Sequence, residues 1–343
     1  MQVQTLKSII SDTHKTVWLY RFDSEGFGRR DIVEAEHLPS LDPALLENEN
    51  DFFWLHIDLV DTRARHWVAG LEFVPEVLRQ RFLSSTGRRT AVCEENVISY
   101  SLPDTVLNFD VPNDEMAYLH CLLGDRFLIT GRRKKITVTA DVIEAVENHT
   151  PITSALELSA RMLDRIVIRL ESIGGDNTDD LDEIEDRVLA ERMSHDTTKM
   201  LGALRRTLAY NHRPILQLQQ VVHQIERNES FSKPRRRQRA FRSLGERLDA
   251  LDHDIVSELG RAKILQDEIA ARLASDANQN LYAISLMTAF FMPPALVAGI
   301  FGMNVADLPL EQTHSGFWWT MALLGLSTLI AYVLVRFLIH NKN

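Results

Sequence analysis

The pattern of hydrophobic and polar positions changes several times along the 343 residues of this chain. In residues 1–150, short runs rich in aromatic and branched residues alternate with helical patterns, which predicts an α/β domain. In residues 151–276, apolar residues recur every three or four positions, which predicts a helical funnel and a long stalk helix. The remainder divides into a first apolar segment (277–304), a polar loop (305–316), a second apolar segment (317–338) and a short tail (339–343). The expected fold is therefore an α+β membrane protein with two C-terminal transmembrane helices.

The α/β region contains six stretches with strand character and two with helical character. The Gly124-Asp125 pair separates two of the strands and favours a hairpin. The predicted strands are Thr16–Asp23, Asp51–Val60, Val92–Asn108 (one or two strands, broken by Pro103), Met116–Leu123, Arg126–Thr130 and Ile136–Thr139; the predicted helices are Thr62–Leu71 and Pro75–Leu83.

An enzyme is not expected from this region. It has no glycine-rich phosphate loop, no nucleophile elbow and no HExxH pair. His120 and Cys121 are adjacent, so on a strand they face opposite sides and do not share a metal. Cys121 is interpreted as a small core residue, and His56 and His120 as ordinary strand histidines.

The helical region is divided by glycines and by a basic run. Ala155–Ile173 and Asp179–Met193 are predicted as two helices separated by Gly174-Gly175, and a third covers Thr197–Glu226. The stretch Asp176–Glu191 has eight acidic residues against one Arg187, which forms either a solvated face or a surface that concentrates cations. The run 233–239 (KPRRRQR) is expected at an exposed turn. From Arg239 the pattern predicts one helix to Asn304, on the order of 100 Å long.

The first apolar segment has one face of polar and small residues. Its members follow one another at spacings of three and four, so a helix places them together. They are Asn278, Leu281, Ser285, Thr288, Met292, Ala295 and Gly299. Polar groups at bilayer depth are costly unless they meet protein or water, so this face either lines a pore or packs against another helix.

Charge and cysteine content narrow the class of protein further. The formal net charge of −10 argues against nucleic acid as a partner. Two cysteines, Cys93 and Cys121, and the absence of a signal-peptide pattern at the N-terminus indicate a reduced compartment. The loop between the apolar segments has Asp307 and Glu311 but no lysine or arginine, whereas the end of the second segment has Arg336 and the tail has Lys342. The positive-inside rule therefore predicts cytoplasmic N- and C-termini.

The end of the first span resembles the CorA/ZntB family of divalent-cation transporters. The stretch FMPPALVAGIFGMN, a short loop, a second span that begins Phe317-Trp318-Trp319 and a chain end soon afterwards carry the resemblance, and WLHIDL at 54–59 resembles the family's cytoplasmic domain. The resemblance implies a homo-pentamer in the bacterial inner membrane, with Gly302, Met303 and Asn304 as the selectivity motif at the outer mouth of the pore. The seven-residue face would then line the pore.

Further site residues are predicted near the pore. The charges of Asp307 and Glu311 in the outer loop would attract cations, and His314 would add a ligand or sense pH there unless it is simply a loop residue. The same resemblance points to one more residue. Asp267 falls where magnesium-transporting relatives place an acid for a regulatory cytoplasmic metal, although a solvated acid beside Glu268 is the alternative. No cofactor is expected, and the partners are further copies of the chain, the lipid bilayer and the transported cation.

The identity of the cation depends on a few positions. The motif Gly302–Val305, the Leu308-Pro309 pair and a tail without a lysine-rich ending favour zinc uptake, as in the ZntB branch. Ala306 and Asp307 replace the two glycines usual in that branch, which keeps a magnesium or cobalt channel gated by cytoplasmic metal open. From a different class, a membrane-anchored coiled-coil scaffold or sensor that conducts nothing also fits the helical pattern.

Overall fold

A seven-stranded mixed sheet organises the N-terminal part of the chain. The structure is a computed structural model that describes residues 17–31, 48, 51–84, 91–105, 116–190, 195–228, 235–303 and 316–340. The strands are β1 (Val17–Phe22), β2 (Gly28–Asp31), β3 (Phe52–Asp58), β4 (Val92–Glu94), β5 (Val97–Thr105), β6 (Met116–Leu123) and β7 (Phe127–Arg132). Their order across the sheet is β2-β1-β3-β7-β6-β5-β4. Only β3 and β7 pair in parallel; the other neighbours are antiparallel.

Seven helices are described besides the sheet. They are α1 (Thr62–Ala69), α2 (Glu76–Leu83), α3 (Thr137–Glu147), α4 (Ala155–Leu189), α5 (His195–Arg227), α6 (Arg235–Phe301) and α7 (Gly316–His340). The predicted α/β domain followed by long helices is confirmed.

Alternation along the strands builds a separate core on each face of the sheet. In β1, Val17 and Leu19 join a core with α1 and α2, whereas Trp18 and Tyr20 join the core formed with α3, α4, α5 and the first part of α6. Because successive strand residues face opposite sides, an apolar strand of this kind is buried on both faces. The result is a sheet between two helical layers.

The predicted break at Pro103 is wrong. Pro103 lies inside β5, opposite Tyr118 of β6, and the strand break is at Glu95 and Asn96 instead. Both of these residues have positive φ, 49° and 64°, which is the conformation of a tight two-residue hairpin turn. β4 covers β5 only as far as Ser99, so the outer edge of the strand is uncovered by described strands at Pro103 and tolerates its missing N–H.

The strand predicted at Ile136–Thr139 is also wrong, because α3 begins at Thr137. Ile136, the residue before the helix, supplies no side-chain cap. Asp104 at the end of β5 accepts a hydrogen bond from the Val138 backbone N–H at 2.6 Å. A distant carboxylate therefore caps this helix, and a local pattern of branched residues could not show it.

The break predicted at Gly174-Gly175 does not occur. α4 continues through both glycines and is a single helix of 35 residues. A Cβ at Gly174 would lie 3.7 Å from Leu251 Cδ2 of α6, so α6 passes close to the backbone here. Packing against α6 outweighs the cost of about 1 kcal/mol that a glycine adds inside a helix.

The chain divides into two units, Met1–Lys263 and Ile264–Asn343. α6 extends through the boundary as one helix of 67 residues, as expected, and it begins four residues before the predicted start at Arg239. Of the basic run, the backbone of 235–239 forms the start of α6, and Lys233 and Pro234 lie outside the described residues. The domain boundaries proposed at 150, 276, 304, 316 and 338 remain predictions.

Candidate functional site

Both helices of the C-terminal unit have the length and composition of membrane spans. α6 and α7 each contain an 18-residue stretch with a mean hydropathy of 1.8. None of the stretch in α6 is buried, and 6% of that in α7 is. In a water-soluble protein, apolar helices of this length would be covered by other parts of the chain.

The chain covers one side of each span. In residues 278–301 of α6 the partly buried residues are Leu286, Phe290, Pro293, Pro294, Val297 and Phe301. In residues 316–336 of α7 the buried or partly buried residues are Gly316, Thr320, Leu324, Ser327, Thr328, Ala331 and Val335. Each set recurs every three or four positions and so forms one face of its helix.

The seven predicted pore-lining residues lie on the other side of α6. All seven are exposed: Asn278, Leu281, Ser285, Thr288, Met292, Ala295 and Gly299. At 3.6 residues per turn, they occupy the side of the helix roughly opposite the partly buried set. The chain therefore uses its apolar face for its own contacts and leaves its polar and small face open.

The open face has neutral oxygen atoms and no charged side chain. The Thr288 hydroxyl donates to the Ile284 carbonyl at 2.9 Å, which satisfies its proton and leaves its oxygen able to accept. Tyr282 and Phe291 are exposed as well, but they lie outside the seven-residue face and are mainly apolar. Both of these sides of the helix are exposed, and they differ in their side chains: small and neutral polar residues dominate one side, and large apolar residues the other.

The first span ends at the predicted motif. α6 ends at Phe301, and the Gly302 backbone N–H donates to the Ala298 carbonyl at 2.9 Å. A Cβ at Gly302 would lie 3.0 Å from that carbonyl oxygen, so the glycine permits a close approach at the helix end. Met303 follows and is half exposed. Asn304, Asp307, Glu311 and His314 lie outside the described residues.

Two arginines of α6 bind carboxylates of α4, and sequence reasoning missed both. Arg247 Nη1 lies 2.5 Å from Asp164, and its Nη2 lies 2.7 Å from Glu171. The hydrogen bonds from Arg247 lower the pKa of Glu171. Arg261 binds α4 again at Asp182 and Glu185, at 2.7 and 2.5 Å. The two arginines are fourteen positions apart, close to four helical turns, so a helix places them on the same face. This spacing in the sequence could have indicated that both bind the same neighbouring helix.

The acidic stretch of α4 is thus partly paired. Asp182 and Glu185 bind Arg261, and Glu183 binds Arg187 four residues later. Near the boundary of the units, Glu268 pairs with Arg272 at 2.6 Å, whereas the neighbouring Asp267 is exposed and makes no ion pair with a described residue.

The buried histidines occupy structural positions in the sheet. His56 Nδ1 is 2.8 Å from Thr130 Oγ1, and His120 Nδ1 is 3.1 Å from Ser101 Oγ. His120 contacts Phe82, and Cys121 lies in the core on the opposite face, as strand alternation requires. Burial lowers the pKa of both histidines, that of His120 to about 4. Within the described ranges, no group of three or more His, Cys, Asp or Glu side chains is placed to hold a metal.

Comparison with known proteins identifies the family. The family model for the CorA-like Mg²⁺ transporter protein matches residues 49–336, which include strands β3 to β7, the long helices and both apolar stretches. The chain belongs to this family. Recognition of the family from the end of the first span is therefore confirmed.

Relatives in this family share most of the chain at low identity. The divalent cation transporter CmaX of Pseudomonas aeruginosa is 25% identical over 318 residues, which are 92% of this chain and 93% of the relative. The zinc transport protein ZntB of Yersinia enterocolitica is 22% identical over 303 residues, 88% of each chain. The solved structure of full-length CmaX covers 94% of this chain and 97% of its own, with a TM-score of 0.77 at 24% identity. The likeness to the CmaX fold thus extends over most of the chain.

Proposed function

We propose that this protein transports divalent metal cations across the bacterial inner membrane, with both termini in the cytoplasm, and that zinc uptake is its function. The observation that carries the proposal is the family match, since it extends through both spans to residue 336. Relatives named as a zinc transport protein and a divalent cation transporter support the choice of cargo.

The transport path requires several copies of the chain. Two spans cannot enclose a water-filled path, whereas a symmetric ring of five chains would bring the open face of each α6 to a common axis. Met292 and Leu281 would form apolar constrictions, and Asn278, Ser285 and Thr288 would supply oxygens. A ring of Asn304 amides would form the outer mouth, above Gly302 and Met303, with Asp307, Glu311 and His314 nearby.

The chemistry of the face favours a hydrated ion. Zinc prefers nitrogen and sulfur ligands, and the seven-residue face has neither histidine nor cysteine. Zinc would therefore pass with its water shell, held by neutral oxygens that do not trap it. Asp307 and Glu311 would raise the local cation concentration outside.

A magnesium or cobalt channel gated by cytoplasmic metal is the second candidate. The description of the family names Mg²⁺, and Asp267 is an exposed acid without an ion pair to a described residue, free to meet a metal. Carboxylate oxygen is the ligand that magnesium prefers.

Metal flux into proteoliposomes of the purified protein tests these candidates. Zinc and magnesium are compared with and without an imposed pH gradient, and an empty liposome is the control. Zinc entry supports the proposal. Magnesium entry that stops when magnesium is also present on the cytoplasmic side, and that continues in Asp267→Asn, supports the second candidate. If intact oligomers pass neither ion, the transport proposal is contradicted, and the membrane-anchored scaffold or sensor becomes the favoured function.

A further inference from the structure

A cavity lies between α4 and α5, beside the end of β5 and the start of β6. Its volume is about 490 Å³, in the range of small-molecule sites. It lies entirely in the N-terminal unit, well before the spans. Its described walls are Pro103, Asp104, Thr105, Met116, Ile166, Arg169, Leu170, Ile173, Asp176, Asn177, Arg206, Thr207, Tyr210 and Asn211.

The amide of Asn177 is a buried polar group in the cavity wall. The residue is 5% exposed, and its Nδ2 has no hydrogen-bond acceptor among the described residues. A buried donor without a partner costs about 1–3 kcal/mol. Such a group in a cavity wall indicates a ligand that brings an acceptor to it.

Two opposite charges lie at the cavity on facing helices. Asp176 of α4 and Arg206 of α5 are both exposed, and neither makes an ion pair with a described residue. Arg169 differs from them, because it is held by Asp104 at 2.7 Å and by Asp141 at 2.5 Å. One cation and one anion are thus available to a ligand.

The rest of the wall has an apolar part, formed by α4 and both strands. Pro103, Met116, Ile166, Leu170 and Ile173 form it. Water in the cavity would accept a hydrogen bond from the Asn177 amide, but it would keep these apolar side chains in contact with water, which is unfavourable. An organic anion without a positive group would place a second negative charge near Asp176.

We propose that this cavity binds a small zwitterion with an apolar body, that is, an α-amino acid with an apolar side chain. Its carboxylate accepts from Arg206 and from the Asn177 amide, its ammonium meets Asp176, and its side chain packs against Ile166 and Leu170. The site is independent of the transport proposal, because it is assayed by binding and not by flux.

Calorimetry and thermal unfolding of the full-length protein in detergent test the ligand chemistry. L-phenylalanine and L-leucine are the probes, and each should bind saturably and raise Tm. Three analogues each lack one feature of the probes. 3-Phenylpropanoate lacks the ammonium group, phenethylamine lacks the carboxylate, and glycine lacks the apolar side chain. Each should bind about tenfold more weakly or worse, the effect of losing one good contact. Equal binding of 3-phenylpropanoate, or no saturable binding of either probe at millimolar concentration, overturns the proposal.

Substitutions locate the site. Arg206→Gln and Asp176→Asn should each weaken phenylalanine binding about tenfold. Asn177→Leu removes the unpaired donor at similar volume, so it should abolish the ligand-induced rise in Tm without lowering the Tm of the free protein. Arg213→Gln and Asp180→Asn change exposed charges of the same helices away from the cavity, and they should bind as the parent does. If these controls lose binding to the same extent, the site is elsewhere.

Discussion

The two units of this chain treat their large apolar side chains in opposite ways. In the N-terminal unit, Trp54 and Leu128 are 0% exposed, packed between strands and helices of the same chain. In the C-terminal unit, Leu296 is 64% and Trp318 is 73% exposed. Both units contain large apolar side chains, so the presence of such side chains does not by itself show whether they are buried.

This difference in exposure shows which groups cover the apolar side chains of each unit. The sheet unit completes its own burial and pairs its charges within the chain, as Arg247 does with Asp164 and Glu171. The described spans leave much of their apolar surface exposed, and such surface needs lipid or protein to cover it. In the proposed ring, lipid would cover one side and further copies of the chain the other. Substitutions should therefore affect folding in the first unit and transport in the second.

The largest effect is expected at the outer mouth. Asn304→Ala should reduce metal flux by about tenfold or more, because it removes a ring of amide oxygens from the proposed pore. Flux into proteoliposomes and native mass of the oligomer are measured together. Gln312→Ala in the same loop is the matched control and should transport normally. Normal flux in Asn304→Ala would show that the Asn304 side chain is not needed in the transport path.

A pair of leucine substitutions tests the comparison directly. Leu128→Ala in β7 should destabilise the N-terminal unit by about 2–5 kcal/mol, because it leaves a cavity in a closed core. Leu296→Ala on the exposed side of the first span should change the free energy of unfolding in detergent by less than about 1 kcal/mol. Urea unfolding of the full-length protein measures both. Equal costs would show that Leu296 is packed.

Acid should weaken the sheet unit through its buried histidines. Burial, with a smaller effect from Arg133, lowers the pKa of His120 to about 4, whereas the unfolded chain titrates near 6.5. Between these values the unfolded state binds more protons, so stability present above pH 6.5 is lost as the pH falls. At pH 5 this histidine alone should cost about 2 kcal/mol relative to neutral pH.

Unfolding of His120→Gln at several pH values checks this expectation. The variant should show a shallower loss between pH 6.5 and pH 5, with the remaining slope due in part to His56, whose pKa is also lowered. His223→Gln replaces an exposed histidine and should keep the parent slope. An unchanged slope in His120→Gln would mean that the imidazole is not buried in solution.

The smallest effect is expected for Arg261. Its contacts with Asp182 and Glu185 are partly exposed, so Arg261→Gln should change the unfolding free energy by less than about 1 kcal/mol, and less still at high salt. Lys263→Gln, an exposed neighbour, is the control. A cost well above that of the control at high salt would contradict a screened surface pair.

Local pattern predicted most elements and failed where the deciding contact was distant. Alternation and the Gly124-Asp125 pair predicted the bounds of β6 and came within two residues of those of β7. The start of α3 was missed because Asp104 caps it across 34 residues. The continuity of α4 through Gly174 was missed because the compensating contact is on α6. The candidate pore face was found from its spacing, and its functional assignment is still a proposal.

By itself the sequence determined the class of the protein: two spans, a long stalk helix, an α/β domain and membership of a transporter family. These depend on periodicity and on a contiguous motif, which are properties of neighbouring residues. Only the tertiary structure decided which side of α6 the chain covers, which carboxylates Arg247 and Arg261 bind, and that Asn177 is buried in a cavity wall without a partner. Those are contacts between residues distant in the chain, and local pattern does not encode them.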